Sequence, residues 1–234
     1  MKSIKTYGII TSTVLLGSVA ALASGGALAQ SSFAGFYGQL ATGYEWNSVG
    51  RTDVSTSTPD TFSPGHSEGS TMPLIVGAGY NFPIDSRFLI GLGGEVSVLR
   101  SSTDTTSTVS AGSVPGGYSY HLSARYGLFV APGYLISPDR LAYLKLGYSN
   151  QRVEGRSHSA DGTDGSSIGA DNVGGLLAGL GYRQVIMNRW YGFAEANYQD
   201  YGTASLHGAA AGISTNARPE SHAWNALIGL GYTY

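Results

Sequence analysis

The chain has 234 residues, 42% of them hydrophobic, enough for one domain with a sizeable core. Only 12% are charged, while 35 glycines and 16 tyrosines are in excess, a balance that disfavours helical bundles and favours aromatic-rich strands. A net charge of −2 excludes a basic surface for nucleic acid, and the lack of cysteine excludes disulfides, thiol catalysis and Cys-ligated zinc.

In chain order, targeting comes first. Lys2 and Lys5 precede an uncharged apolar run from Tyr7 to about Ala23, and Ala27-Leu28-Ala29-Gln30 then supplies a small-x-small cleavage site. This plan predicts a cleavable signal peptide over residues 1–29, with residues 30–234 forming one exported domain. Thr11, Ser12, Thr13 and Gly17 interrupt the run and argue against a retained anchor. No later stretch approaches the ~18 apolar residues of a transmembrane helix, so any membrane span must be built from strands.

Eight segments then alternate with period two: Phe33–Asn47, Thr71–Phe82, Phe88–Arg100, Tyr118–Ile136, Leu141–Arg152, Asn172–Val185, Trp190–Gly202 and His222–Tyr234. Tight turns follow the second, fourth and sixth, at Pro83–Arg87, Ser137–Arg140 and Met187–Arg189. Long Ser-, Thr-, Gly- and Asp-rich stretches follow the odd ones, as in Thr52–Ser70 and Ser157–Asp171. Short turns at one end and long loops at the other describe an up-and-down antiparallel meander. The expected fold is therefore all-β, an eight-stranded transmembrane β-barrel.

The faces support this reading. In the second segment Met72, Leu74, Val76, Ala78, Tyr80 and Phe82 oppose Pro73, Ile75, Gly77, Gly79 and Asn81; in the eighth, Trp224, Ala226, Ile228, Leu230, Tyr232 and Tyr234 oppose Asn225, Gly229, Gly231 and Thr233. One face is apolar with aromatic ends, and the other mixes glycine, small polar groups and isolated charges. A soluble sandwich would need a Lys- and Glu-rich outer face, which is missing. Tyr80, Tyr134 and Tyr182 cluster at the turn ends and Trp46, Tyr120 and Trp224 at the loop ends, as two membrane interfaces require. A Gly-x-Gly-Tyr repeat at Gly77, Gly179 and Gly229 lacks the following helix of a phosphate cradle, so its glycines are read as lumen fillers.

These features resemble the small eight-stranded outer-membrane proteins of Gram-negative bacteria. The likeness is to the transmembrane part of outer membrane protein A and to the surface-antigen barrels of alphaproteobacteria. It covers the whole mature chain as a pattern and is most specific at Ile228, Leu230, Tyr232 and the terminal Tyr234. In that family a C-terminal aromatic strand is the signal read by the barrel-assembly machinery; here it ends on Tyr where Phe is commoner. The resemblance implies Sec-dependent export, periplasmic chaperones and barrel assembly as biogenesis partners, and a place in the outer membrane against lipid and lipopolysaccharide. The peptidoglycan-binding domain of the larger family member has no counterpart after Tyr234, so a cell-wall tether is not carried over.

Alternation places Glu45, Glu95, Arg125, Lys145, Arg183 and Glu195 on the inward face. Three acids balance three bases, and Lys145 is the only lysine after the signal peptide. Charges in a narrow lumen survive only when paired, so the six read as a salt-bridge network plugging the lumen. The adjacency of the third and fourth segments makes Glu95, rather than Glu45, the expected partner of Arg125.

Enzyme chemistry is weighed on His121-Leu122-Ser123, which resembles the His-x-Ser pair of some barrel-shaped lipid A deacylases. Period two puts this pair on the face of Arg125, hence in the lumen; no acid stands two or four residues away, and Glu154 could approach only by chance. The expectation is no enzyme, no catalytic residue and no cofactor. Four loop histidines (His66, His158, His207 and His222) lack regular spacing, so no metal is expected. The leading reading is a structural envelope protein displaying four surface loops. A narrow porin or small-solute channel is the second, and an adhesin or immune-evasion protein with a host or surface ligand is the third.

Overall fold

The computed structural model describes residues 31–49, 53–56, 67–99, 101–103, 116–159, 164–203, 206–210, 213–218 and 220–234. The expected leader and its cleavage site lie outside the described residues. Among those described, no helix is long and apolar enough to cross a membrane.

Eight long strands form the body: β1 (Gly35–Val49), β2 (Leu74–Pro83), β3 (Phe88–Ser97), β4 (Gly116–Ser137), β5 (Arg140–Ser159), β6 (Asp164–Met187), β7 (Trp190–Thr203) and β8 (Glu220–Thr233). Each pairs antiparallel with its neighbour in sequence, and β1 pairs with β8 from Tyr37↔Thr233 to Val49↔Ser221. That last ladder closes the sheet into an up-and-down barrel and leaves no open edge on the ring. The sequence dictates this arrangement because period-two alternation turns every second side chain to one face.

The two faces differ as the alternation requires. Inward positions of β1 run Tyr37, Gln39, Ala41, Glu45 and Asn47, all buried. Outward positions are apolar and bare: Leu176 is 72% exposed, Leu128 71% and Ile228 67%. An outer face this apolar is stable only against an apolar medium. Rings cluster at its two ends. At the turn end Phe36 lies 4.7 Å from Tyr80, Phe88 5.1 Å from Tyr134 and Trp190 5.3 Å from Tyr232. At the loop end Tyr44 lies 4.3 Å from Trp46, and Tyr198 4.6 Å from Trp224.

The short turns use the residues that turn geometry demands. Asp85 Oδ1 accepts the backbone N–H of Arg87 at 2.6 Å and of Phe88 at 2.9 Å, which holds its carboxyl below the usual aspartate range. This staple is present at neutral pH and is lost as pH falls through that lowered pKa. Asn188 carries the positive φ of 53° between β6 and β7, a conformation Asn tolerates.

Two features depart from simple alternation. First, β4, β5 and β6 run 22, 20 and 24 residues, about twice what a membrane crossing needs, and take in much of the expected loop Ser157–Asp171. Asp53–Thr56 and Ser67–Thr71, within the expected loop Thr52–Ser70, are also strands; the former joins Ile213–Arg218 and Leu206–Ala210 in a small second sheet. The stretches added to β5 and β6 are rich in Ser, Gly and charged residues, so no hydrophobic alternation announced them.

Second, the β4–β5 register slips between Ser123 and Tyr126. Ala124 and Arg125 together oppose Gln151, a bulge that reverses the parity of everything before it. Ser123 therefore pairs with the outward Arg152, off the face of Arg125, and His121 takes the register position of Glu154. Tyr120, expected among the outward interface rings, takes the register position of Gly155. A bulge costs one residue and leaves no mark in the period-two pattern of so short a stretch.

The Gly-x-Gly-Tyr repeat finds its use here. Gly79, Gly181 and Gly231 are the register partners of Tyr37, Tyr143 and Tyr191, whose rings lie in the space a Cβ would fill. A β-carbon at Gly181 would stand 2.3 Å from the Tyr143 ring. Gly181→Val is expected to lower the stability of the folded barrel by ~1–3 kcal/mol through overpacking, read by urea unfolding in lipid vesicles.

Candidate functional site: the charged lumen

Each of the six inward ions sits on a different strand, and together they occupy the barrel interior in three groups. Lys145 on β5, fully buried, donates to Glu95 of β3 at 2.6 Å and to Glu195 of β7 at 3.0 Å. Glu195 also accepts from the Tyr143 hydroxyl at 2.5 Å and from Asn197 at 3.3 Å. Two carboxylates on one ammonium leave a surplus negative charge at this level.

Arg183 supplies the balance nearer the turn end. It is 2% exposed and donates through Nη2 to Gln39 Oε1 at 3.0 Å. Its guanidinium lies 4.5 Å from the Tyr37 ring centroid, 4.8 Å from Tyr143 and 5.1 Å from Tyr191, the same three rings that rest on glycine. Its Nε has no hydrogen-bond partner among the described residues, so ring faces take part of the charge.

The third group lies toward the loops. Arg125 Nη1 of β4 reaches across the lumen to Glu45 Oε2 of β1, and also to Gln199 at 3.4 Å. Asn225 and Asn47 donate to the two oxygens of Glu45 at 3.3 and 3.2 Å. The partner of Arg125 is thus Glu45 and not Glu95. The register sets Glu95 beside Gly127, one step toward the turns from Arg125, at the level Lys145 reaches. In a tube this narrow, long side chains pair across the bore rather than along the wall.

Asn197 joins two of the groups, donating to Glu195 at 3.3 Å and to Asn225 at 2.9 Å. The polar line continues through Gln199, Tyr201 and Ser149. Sequence reasoning singled out the ions and passed over Gln39, Asn197, Gln199, Asn225 and the three tyrosines. All share the inward parity of the ions, which was the available signal.

Elsewhere, Ile228, Leu230 and Tyr234 are outward and exposed, and the Tyr232 ring packs on Trp190 and Tyr234. Tyr80, Tyr134, Tyr182, Trp46 and Trp224 lie on the two ring belts; the side chain of Tyr120 is outside the described residues, as are those of His121, His158 and His207 and the whole of His66. Glu154, register partner of His121, accepts from Arg152 Nε at 3.1 Å. No three His, Asp or Glu among the described residues gather as metal ligands do.

No protein-family model matches the chain, and no curated protein matches it. Among solved structures, outer membrane protein OprG of Pseudomonas aeruginosa aligns over 85% of this chain and 95% of its own, with a TM-score of 0.60 and 15% identity. Neisserial surface protein A aligns over 86% and 98%, at a TM-score of 0.44 and 14% identity. Ail, the attachment invasion locus protein of Yersinia pestis, aligns over 85% and 98%, at 0.37 and 16%. The likeness to OprG, with the closed eight-strand ring, makes the fold that of a small outer-membrane β-barrel.

The cross-lumen pair gives a direct test. Arg125→Ala is expected to cost ~3–5 kcal/mol by stranding Glu45 in the lumen. Adding Glu45→Gln is expected to recover part of that loss, and adding Glu95→Gln none of it. The measurement is a double-mutant cycle of urea unfolding in vesicles.

Proposed function

We propose that this protein is a structural component of the outer membrane: a β-barrel that contributes to envelope integrity, displays four surface loops and keeps its lumen closed with a charge network. The observation that carries the reading is the pairing of a bare apolar outer wall with a bore packed by matched ions. A barrel built to pass solute would leave the bore open to water; here Lys145 is wholly buried and Glu45, Arg125, Arg183 and Glu195 are each less than a tenth exposed.

The rest of the reading follows from the topology. Residues 1–29 act as the export signal and are removed on passage through the Sec pathway. The short turns at Asp85, Asp139 and Asn188 face the periplasm, and the long connections face lipopolysaccharide outside. The strand ending Ile228, Leu230, Tyr232 and Tyr234 is offered to chaperones and to the barrel-assembly machinery. A second reading, a narrow channel, is favoured by the hydrogen-bonded line from Tyr143 and Glu195 through Asn197 to Glu45 and Arg125.

Bilayer recording on refolded protein separates the two. The parent is expected to be silent, and Arg125→Ala to give brief cation-selective openings; steady conductance of the parent would favour the channel. Single cysteines at Ser63, Ser159 and Asn188 are expected to label on intact cells at the first two positions only. Deleting Thr233 and Tyr234 is expected to reduce the heat-modifiable folded band in the outer membrane without reducing export.

A further inference from the structure

The outer wall is not evenly bulky. One outward step in from the turns, Tyr134 of β4, Ala142 of β5, Tyr182 of β6 and Ala194 of β7 are successive register partners and all face outward. Two alanines set between tyrosines leave two recesses, one on each side of Tyr182. The first, about 420 Å³, is walled by Phe88, Pro132, Tyr134, Leu144 and Leu180 and floored at Ala142. The second, about 460 Å³, lies over Ala194 and Gly192, beside Ile186. Two strand spacings, ~10 Å, separate their floors. Both are open to whatever surrounds the barrel.

Cations stand at the turn-side edge of these recesses. Arg140 is two residues before Ala142 on the same face, register partner of Gln184, and its side chain is half exposed. Arg87 donates through Nη1 to the Tyr134 hydroxyl at 3.2 Å, which sets its guanidinium at the edge of the first recess. The acids nearby are largely engaged elsewhere. Asp85 is bonded to its own turn, and Asp139 accepts from Ser137 at 2.6 Å, with only a long 3.8 Å contact to Arg140.

We infer that this face holds an anionic phospholipid of the leaflet at the turn end, its two acyl chains in the recesses astride Tyr182 and its phosphodiester on Arg140 and Arg87. Apolar grooves in a lipid-facing wall must be filled by something chain-shaped, and the paired guanidiniums at their open end select a negative headgroup. Gln184, whose side chain accepts from Tyr182 at 3.3 Å, offers its amide N–H groups to the same headgroup zone. The occupant is a lipid and not free phosphate, because the larger part of the site is apolar. This inference rests on the membrane reading above.

The probe is Trp190, which stands outward on β7 beside Gly192. With Trp46→Phe and Trp224→Phe it is the only indole left, and its quenching by brominated lipid reports occupancy. Refolded protein in mixed vesicles is expected to prefer brominated phosphatidylglycerol over brominated phosphatidylcholine by about thirtyfold, as two surface cation contacts give. Arg87→Gln with Arg140→Gln is expected to abolish the preference, and Ala142→Leu to reduce it by filling the first recess. Arg189→Gln, a rim cation that lines a separate hollow with Ser31, Thr233 and Tyr234, is expected to leave it unchanged.

Equal quenching by the two lipids would overturn the lipid site while leaving the membrane barrel standing. Loss of preference on Arg189→Gln as well would make it a diffuse charge effect and overturn the site. An unchanged preference in Ala142→Leu would mean a headgroup held without a seated chain, which overturns it too. No quenching by either lipid would mean that Trp190 does not face acyl chains, and would overturn the membrane reading itself.

Discussion

An ammonium group deep inside a protein must be matched by negative charge, and Lys145 shows what that demand does to the whole molecule. Its two carboxylates come from strands on either side of the ring, so the pair of bonds cross-braces the wall. The excess charge this leaves requires a further cation nearby, which Arg183 provides. Arg183 in turn needs a lining that tolerates a cation without a carboxylate contact of its own, and three tyrosine faces form that lining. Those rings fit only because their partners across the ladder are glycines. One buried charge therefore fixes the identity of residues on most of the strands.

The same chain of dependence separates the interior from the exterior. Inside, specificity comes from matched donors and acceptors, so single changes strand a partner and are costly. Outside, the requirement is apolarity and a ring at each end, so many sequences would serve. This asymmetry is why the interior carries the information about closure.

Much of this was legible before any coordinates. Period two, the three short turns and the glycine-rich inward face specify eight strands, their order and which ions look inward. What escaped was whatever depends on stagger. The partner of Arg125 is set by how far one strand is offset from the next across the bore, and no residue encodes that offset locally. The bulge at Ala124 and Arg125 escaped for a related reason: one inserted residue changes a parity, not a composition, and it moved Ser123 off the face of Arg125. The long extensions of β5 and β6 escaped because strands outside an apolar layer need no hydrophobic alternation. The uncharged members of the lumen network carried the right parity but no formal charge to draw notice.

Closure by the β1–β8 ladder also sets an order of events. The bond from the Tyr234 backbone N–H to the Phe36 carbonyl joins groups 198 positions apart, and the Asn225–Glu45 bond groups 180 apart. Neighbouring strands can zip as hairpins, but no such local step can join the first to the last. Until β8 arrives, the sheet is an open ribbon with two unpaired edges and an apolar face on show, the condition in which strands add to the wrong partner. The commitment to a ring is thus withheld until the end of the chain is available. Such a sheet must be kept apart from its copies for as long as it takes to bend round and meet itself.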